Sequence, residues 1–187
     1  MPVLQKIAQE WGAEVPFTRP SELAQDRSSH IGVVVHALEW LAEHKNQWYD
    51  YVMLLQPTVP LRTAQDIDAA IEIAAKTNAD SVISVFPADR HPYLAKSVCP
   101  DGRLQDMVFR IENDLPRQGL PPAYTLNGAI YLIRSKFLIE HQTWYSDNTF
   151  AYVMPPERSL DIDTDWEFHL TDLVLKDPEY HVHYRNR

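Results

Sequence analysis

Apolar positions along the chain follow a helical rhythm and a strand rhythm in alternation. Leu4, Ile7, Ala8 and Trp11 recur at helical spacing, and Gly12 stands where such a helix would end. Ile31, Val34, Val35, Leu38 and Leu41 form a second, longer stripe, with Ser28 or Ser29 placed to cap it. Tyr49 to Leu55 is a short apolar run, which predicts a strand buried on both faces. Pro57 and Pro60 forbid its continuation. Thr63 with Asp66 makes a partial capping box before a helix whose inner face is Ile67, Ala70, Ile71 and Ala74. Ser81 to Phe86 predicts a second buried strand, and residues 92–109 a hairpin turning at Asp101-Gly102. Residues 112–123 are polar and proline-rich, a loop or an extended arm. Tyr124 to Ile133 and Thr149 to Met154 predict two more strands. A last helix follows, with Asp165 as a candidate cap and Trp166, Leu170, Leu173 and Val174 as its inner face. The remaining tryptophans and tyrosines are read mostly as core.

Strands and helices alternating in this way predict an α/β fold, a three-layer arrangement around a mostly parallel sheet, with an antiparallel excursion between about 92 and 124. No internal repeat or linker divides the chain, so residues 1–187 are expected to form a single domain.

Composition narrows the function classes. The five glycines lie at least nine positions apart, so residues 1–187 contain no glycine-rich phosphate loop. A net charge of −9 argues against nucleic-acid binding through a general basic surface. It leaves room for an anionic small substrate wherever a few Arg and Lys converge. The single Cys99 excludes an internal disulfide and suggests a reducing compartment. It sits at a strand end and turn, where packing is a better reading than a nucleophile. The first twenty residues lack the basic start and apolar core of a signal peptide, and no run nears the ~18 apolar residues of a membrane span. A cytoplasmic protein without membrane partners is expected.

Ligands of open α/β sheets sit at the carboxyl ends of strands, and two polar clusters fall there. In the first, the prolines would hold Gln56, Thr58 and Arg62 rigid; an amide can read a base or ribose, and Arg can pair with phosphate or carboxylate. The alternative is a strand-to-helix turn with a local cap. In the second, Asp161 and Asp163 point the same way if extended, with Ile162 turned inward, which suits a hard cation such as Mg²⁺. The alternative is extra acidity favouring a helix N-terminus. Asn127 and Tyr131 share a strand face around Gly128, where a glycine suggests a close approach by ligand or backbone. His181 and His183 can chelate a metal, but they lie in a terminal tail with no third ligand nearby.

Taken in order, Arg19-Pro20-x-Glu22-Leu23-Ala24-x-Asp26, LLQPTVPLR at 54–62, Arg117-Gln118-x-Leu120-Pro121, Leu126 to Tyr131 and Asp161-Ile162-Asp163 resemble the acylneuraminate cytidylyltransferases, the CMP-sialic acid synthetases. The resemblance runs from residue 1 to about 177. It implies a nucleotidyltransferase fold of the nucleotide-diphospho-sugar transferase type, and a homodimer formed by an arm at about 90–125. It implies transfer of CMP from CTP to a nine-carbon α-keto acid sugar, with Mg²⁺ and release of pyrophosphate. By the same resemblance, Arg19, Ser28, Ser29 and Gln56 would line the nucleotide, and Gln56, Asn127, Gly128 and Tyr131 the sugar. Lys96, and Arg117 from the partner's arm, would approach the sugar carboxylate or the phosphates. Asp161 and Asp163 would hold the metal and, with Lys96 and Arg117, make up the catalytic set. In-line attack of a hydroxyl on the α-phosphorus brings two anions together, so cationic groups and positioning are the chemistry needed, without a covalent nucleophile.

The sequence departs from the family pattern in three places. Val59 replaces a serine, and Gly119 replaces an aspartate in the arm. The family's opening strand and phosphate loop, a pattern like ARGGSKGIPxKN, is not found in residues 1–187. The sheet is therefore expected to be incomplete at its N-terminal end, the chain a fragment or one begun at an internal Met, and its turnover impaired. Two other readings stay open: a metal-dependent glycosyltransferase using Asp161-x-Asp163, and a non-catalytic dimeric remnant. Neuraminic, legionaminic and pseudaminic acids, and as a lesser variant an eight-carbon acid, all remain candidates for the sugar.

Overall fold

The computed structural model describes residues 2–25, 27–108 and 119–180. They divide into two compact units, one of residues 1–50 with 135–143 and one of 51–134 with 144–187.

The first unit is helical. Helix α1 (Pro2–Glu10) ends at Gly12, which takes φ +86°. Helix α2 (His30–Lys45) is capped by Ser29, whose side chain accepts from the Ile31 amide, and it closes on Asn46 in the left-handed conformation. Val34, Val35 and Leu38 are buried, as the stripe predicted. Phe17 packs on Trp40, and Trp40 stacks on His44 with ring centroids 4.5 Å apart. Helix α4 (Ser135–His141) contributes the fully buried Leu138.

The second unit carries the sheet. Its strands are β1 (Tyr51–Leu54), β2 (Ser81–Pro87), β5 (Tyr124–Arg134) and β6 (Thr149–Val153), in the order β1-β5-β2-β6. β1, β2 and β6 run the same way, and β5 runs against them between β1 and β2. The antiparallel element is thus not confined to residues 92–124. Among the described residues between β2 and β5 there is no crossover α-helix, and a strand returning without one lies antiparallel to the strand it left. Within that stretch β3 (Lys96–Val98) and β4 (Leu104–Asp106) form the expected hairpin, with Gly102 at φ +85° in its turn. Helix α3 (Ala64–Thr77) packs across β2, β5 and β6. The core gathers Val59, Ala70, Ala74, Val82, Ala129, Ile130, Leu132 and Met154. Val59, a departure from the family pattern, has its side chain fully inside this core, where an apolar group belongs.

Five expectations are corrected. β1 is half-buried at the sheet edge, because it pairs only with β5 among the described residues. The stripe of α1 faces outward: Leu4 is 73% and Trp11 88% exposed. The last helix, α5 (Asp165–Lys176), is capped by Thr164 rather than Asp165, through a full capping box with Glu167. Its inner side is Glu167, Leu170, Thr171 and Val174, whereas Trp166 and Leu173 are exposed. With Trp11, Trp48 and Trp166 all exposed, the tryptophans are mostly not core. A short helix α6 (Pro178–Tyr180) ends the described chain, and no described helix is long and apolar enough to cross a membrane.

Candidate active site

The carboxyl ends of β1, β2 and β6 and the first half of β5 lie at one end of the sheet, as their registers show. Three segments meet there: the loop 56–63 after β1, residues 127–130 inside β5, and the loop 155–163 after β6.

The first loop is fixed from within. Arg62 Nη1 donates to the carbonyls of Gln56 (2.9 Å), Val59 (3.0 Å) and Ala129 (3.2 Å). Burial lowers the Arg62 pKa, against the pull of Asp66, yet the guanidinium has backbone partners for its charge. Arg62 therefore braces the loop through Nη1, a structural role beside the one the sequence expected. The bracing holds Gln56 by its own carbonyl. The loop continues into a capping box in which the Thr63 side chain and the Asp66 carboxylate each accept the other's amide.

The second segment is a bulge. Between Ile83↔Tyr131 and Val85↔Leu126, two steps on β2 match five on β5. Gly128 takes φ +72° within it. A Cβ there would sit 2.5 Å from Gln56 Oε1 and 3.3 Å from Asp161 Oδ2. A Cβ would crowd both groups, and Gln56, Gly128 and Asp161 come together here. Asn127 turns inward instead: it is 2% exposed, with its amide used by Ser84, Ser159, Met154 and the Ala129 amide. Tyr131 is half-buried and packs on Trp144 with centroids 5.4 Å apart. Burial, then the nearby Tyr145 and Asp161, push its hydroxyl pKa up, so it stays a neutral donor.

The third segment is locked to the first. The Ile162 amide donates to the Thr58 carbonyl at 2.9 Å. Arg158 donates to both oxygens of Asp66, at 2.8 Å and 3.0 Å, and Tyr152 adds a bond of 2.7 Å. Asp66 is fully buried, and burial alone would raise its pKa. Arg158, the Thr63 amide and hydroxyl, and Tyr152 together pull it below the ordinary value. Asp161 Oδ1 is buried without a hydrogen-bond partner. Asp163 is exposed beside it, while the Glu167 carboxylate is occupied by the Asp163 and Thr164 amides and the Thr164 hydroxyl. A cavity of about 350 Å³ opens here, walled by Phe86, Leu126 and Leu160 on its apolar side and by Asp89, Asp161 and Asp163 on the other.

Arg19, Ser28 and Ser29 belong to the first unit, where Arg19 is exposed. The hydroxyls of Ser28 and Ser29 serve local backbone, Ser28 at Glu22 and Gln25 and Ser29 at Ile31. Lys96 is on the β3–β4 hairpin, its ammonium paired with Asp106. Arg117, His181 and His183 lie outside the described residues. Sequence reading missed Ser84, Ser159 and the Asp66–Arg158–Tyr152 set. Ser84 carried a signal, since a serine inside an apolar strand needs a buried partner. Arg158 carried none, because its partner is 92 positions away.

The chain matches no protein-family model. It is 34% identical over 178 residues to the CMP-N,N'-diacetyllegionaminic acid synthase of Legionella pneumophila, covering 91% of this chain and 72% of that protein. The chain belongs to the acylneuraminate cytidylyltransferase family. Other relatives agree with that placement. The post-translational flagellin modification protein B of Campylobacter coli is 29% identical over 174 residues, 93% of this chain and 73% of that one. An N-acylneuraminate cytidylyltransferase of Streptococcus agalactiae is 30% identical over 188 residues, 97% of this chain but 44% of its own length. Among solved structures, a CMP:2-keto-3-deoxy-manno-octonic acid synthetase complexed with CTP superposes with a TM-score of 0.63 at 12% identity. It covers 94% of this chain and 77% of that one, which shows the α/β nucleotidyltransferase fold. As a cytidylyltransferase-family chain, the protein is a nucleotidyltransferase, and the end of the sheet just described is where its chemistry is sought.

Proposed function

We propose that the chain transfers CMP from CTP to a nine-carbon α-keto acid sugar of the sialic, legionaminic or pseudaminic type, releasing pyrophosphate. The observation that carries this reading is the closing of Gln56 and Asp161 over Gly128 at the strand ends, in a chain 34% identical to a legionaminic acid synthase. The sugar hydroxyl forms a bond to the α-phosphorus as the bond to pyrophosphate breaks. Gln56 and the neutral Tyr131 are assigned to orienting the sugar and nucleotide, with Gly128 as the floor. Asn127, its amide consumed internally, lines the cavity beside it. Arg19, Ser28 and Ser29 are assigned to the nucleotide side.

The donor set fits Mg²⁺. Asp161 presents a buried oxygen without a partner, Asp163 is exposed beside it, and this ion takes one or two carboxylates plus substrate phosphates. Asp161 and Asp163 would hold it, and it would supply charge neutralisation at the phosphates. Lys96 and Arg117 are assigned to an arm, at about 90–125, that reaches a second copy, so a homodimer is part of the proposal. The single Cys99 supports a cytoplasmic setting.

The test is product formation. The chain is incubated with radiolabelled CTP, Mg²⁺ and each of the three acids, and CMP-sugar and pyrophosphate are quantified. Stoichiometric appearance of both with at least one acid is expected. No product with any acid would overturn the reading, and transfer of sugar from finished CMP-sugar to an acceptor would favour a glycosyltransferase instead. Light scattering checks the dimer: twice the 21.6 kDa chain mass is expected.

A further inference from the structure

The bulge in β5 has no backbone ladder to hold it. Its shape rests on side chains that come from two other segments. Ser84, fully buried on β2, stands at the break in register. Its Oγ accepts from the Ile130 amide at 2.8 Å and donates to Asn127 Oδ1 at 2.6 Å. That oxygen also accepts from the Ala129 amide at 3.2 Å. On the other side of Asn127, Nδ2 donates to Ser159 Oγ at 3.0 Å and meets Met154 Sδ at 3.2 Å. Ser159 Oγ in turn donates to the Pro155 carbonyl at 2.8 Å. Both donors and both acceptor positions of the Asn127 amide are thereby used, and a fully satisfied buried amide has one orientation.

The consequence concerns Gly128, which lies between Asn127 and the two amides. Its φ of +72° and its closeness to Gln56 and Asp161 follow from where Asn127 and Ile130 are pinned. Ser159 is also two residues from Asp161, on the loop that carries the candidate metal carboxylates. A single amide that lines the cavity therefore ties the bulge to the loop that walls it.

We propose that Ser84 and Ser159, acting through Asn127, are positioning residues for the transfer reaction: they set the bulge that places Gly128 against Gln56 and Asp161. Both serine hydroxyls are taken up within the protein, by Asn127, the Ile130 amide and the Pro155 carbonyl. The proposal rests on the cytidylyltransferase reading of the site. It predicts that the two serines act as one unit rather than as two independent core contacts.

The experiment compares Ser84→Ala, Ser159→Ala and the double variant with Ser81→Ala. Ser81 is an equally buried serine of β2 that bonds Thr149 instead. Amide hydrogen exchange is read by NMR on the full chain, and steady-state kinetics are read beside it. In Ser84→Ala, faster exchange is expected at Ala129 and Ile130. In Ser159→Ala, faster exchange is expected at Ala129, although Ser159 bonds no backbone amide of the bulge. Ser81→Ala should change neither amide. In the kinetics, kcat should fall ~10- to 100-fold in each single variant, as a misplaced group does. The double variant should fall no further than the worse single one, the mark of groups acting as a unit. Ser81→Ala should keep its kcat. Unchanged Ala129 exchange in Ser159→Ala overturns the proposal, as do wild-type kcat values in both single variants or multiplicative losses in the double one. The exchange experiment needs no turnover. If wild type transfers no CMP while the exchange pattern holds, it is the function reading that falls, and the positioning role falls with it, leaving the network a purely structural one.

Discussion

Gly128 is where backbone conformation and chemistry meet most tightly. Its φ of +72° is strained for any residue with a Cβ, by roughly 1–2 kcal/mol. A methyl there also meets the Gln56 amide oxygen at 2.5 Å. Gly128→Ala is therefore expected to lower kcat/KM at least tenfold while shifting the thermal midpoint by only a few degrees; equal losses in both would show that the glycine serves folding alone. Arg62 predicts the opposite pattern. Its three carbonyl contacts are internal, so Arg62→Lys should cost about 1–3 kcal/mol in denaturant unfolding, from carbonyls left unpaired, and leave the KM for CTP unchanged. A large rise in that KM would return Arg62 to the nucleotide.

Helix α3 and the loop after β6 are joined by one buried ion pair. Asp66 is fully buried and Arg158 nearly so, and removing either partner strands a charge. Arg158→Ala is expected to destabilise the fold by about 3–5 kcal/mol. The same pair gives stability a pH signature. Because the folded Asp66 pKa is depressed, its contribution is fully present above the unfolded value of ~3.9 and is lost as pH falls through the folded value. Tyr152 mirrors this at high pH. Burial and the bond to Asp66 push it up to about 12, so its contribution is present below an unfolded value of ~10 and lost as pH rises toward 12. Urea midpoints measured across pH should fall at both ends, and Asp66→Asn should flatten the acid limb. These elements also show what the sequence could and could not disclose. Local signals were readable: the Ser29 and Thr63 caps, the Gly12 and Gly102 turns, and the strands at 81–86 and 124–133 all depend on neighbours within a few residues. The outward faces of α1 and α5, the direction of β5 and the Asp66–Arg158 pair depend on partners far along the chain, which periodicity does not encode. Gln56 and Asp161 were found by residue type and placement at strand ends; their shared dependence on Gly128 needed coordinates.

The molecule as a whole is acidic, at −9, yet its proposed substrates are anions. Long-range repulsion therefore works against encounter, and binding must come from local cations. Raising ionic strength from low to physiological should increase kcat/KM modestly by screening that repulsion, whereas a fall would reveal a basic patch that dominates approach. Removing Mg²⁺ with a chelator should abolish transfer, and Asp161→Asn should raise the Mg²⁺ concentration needed for half-maximal rate; an unchanged requirement would move the metal elsewhere. The bulge has one consequence at this level. The bulge fixes how many residues separate the two paired parts of β5, so losing a single residue between Asn127 and Ile130 would break either the bulge itself or the register that sets Tyr131 opposite Ile83 and Leu54. Lineages of this protein should then tolerate exchanges of residue type in that stretch far better than insertions or deletions, so that its spacing is inherited more rigidly than its spelling.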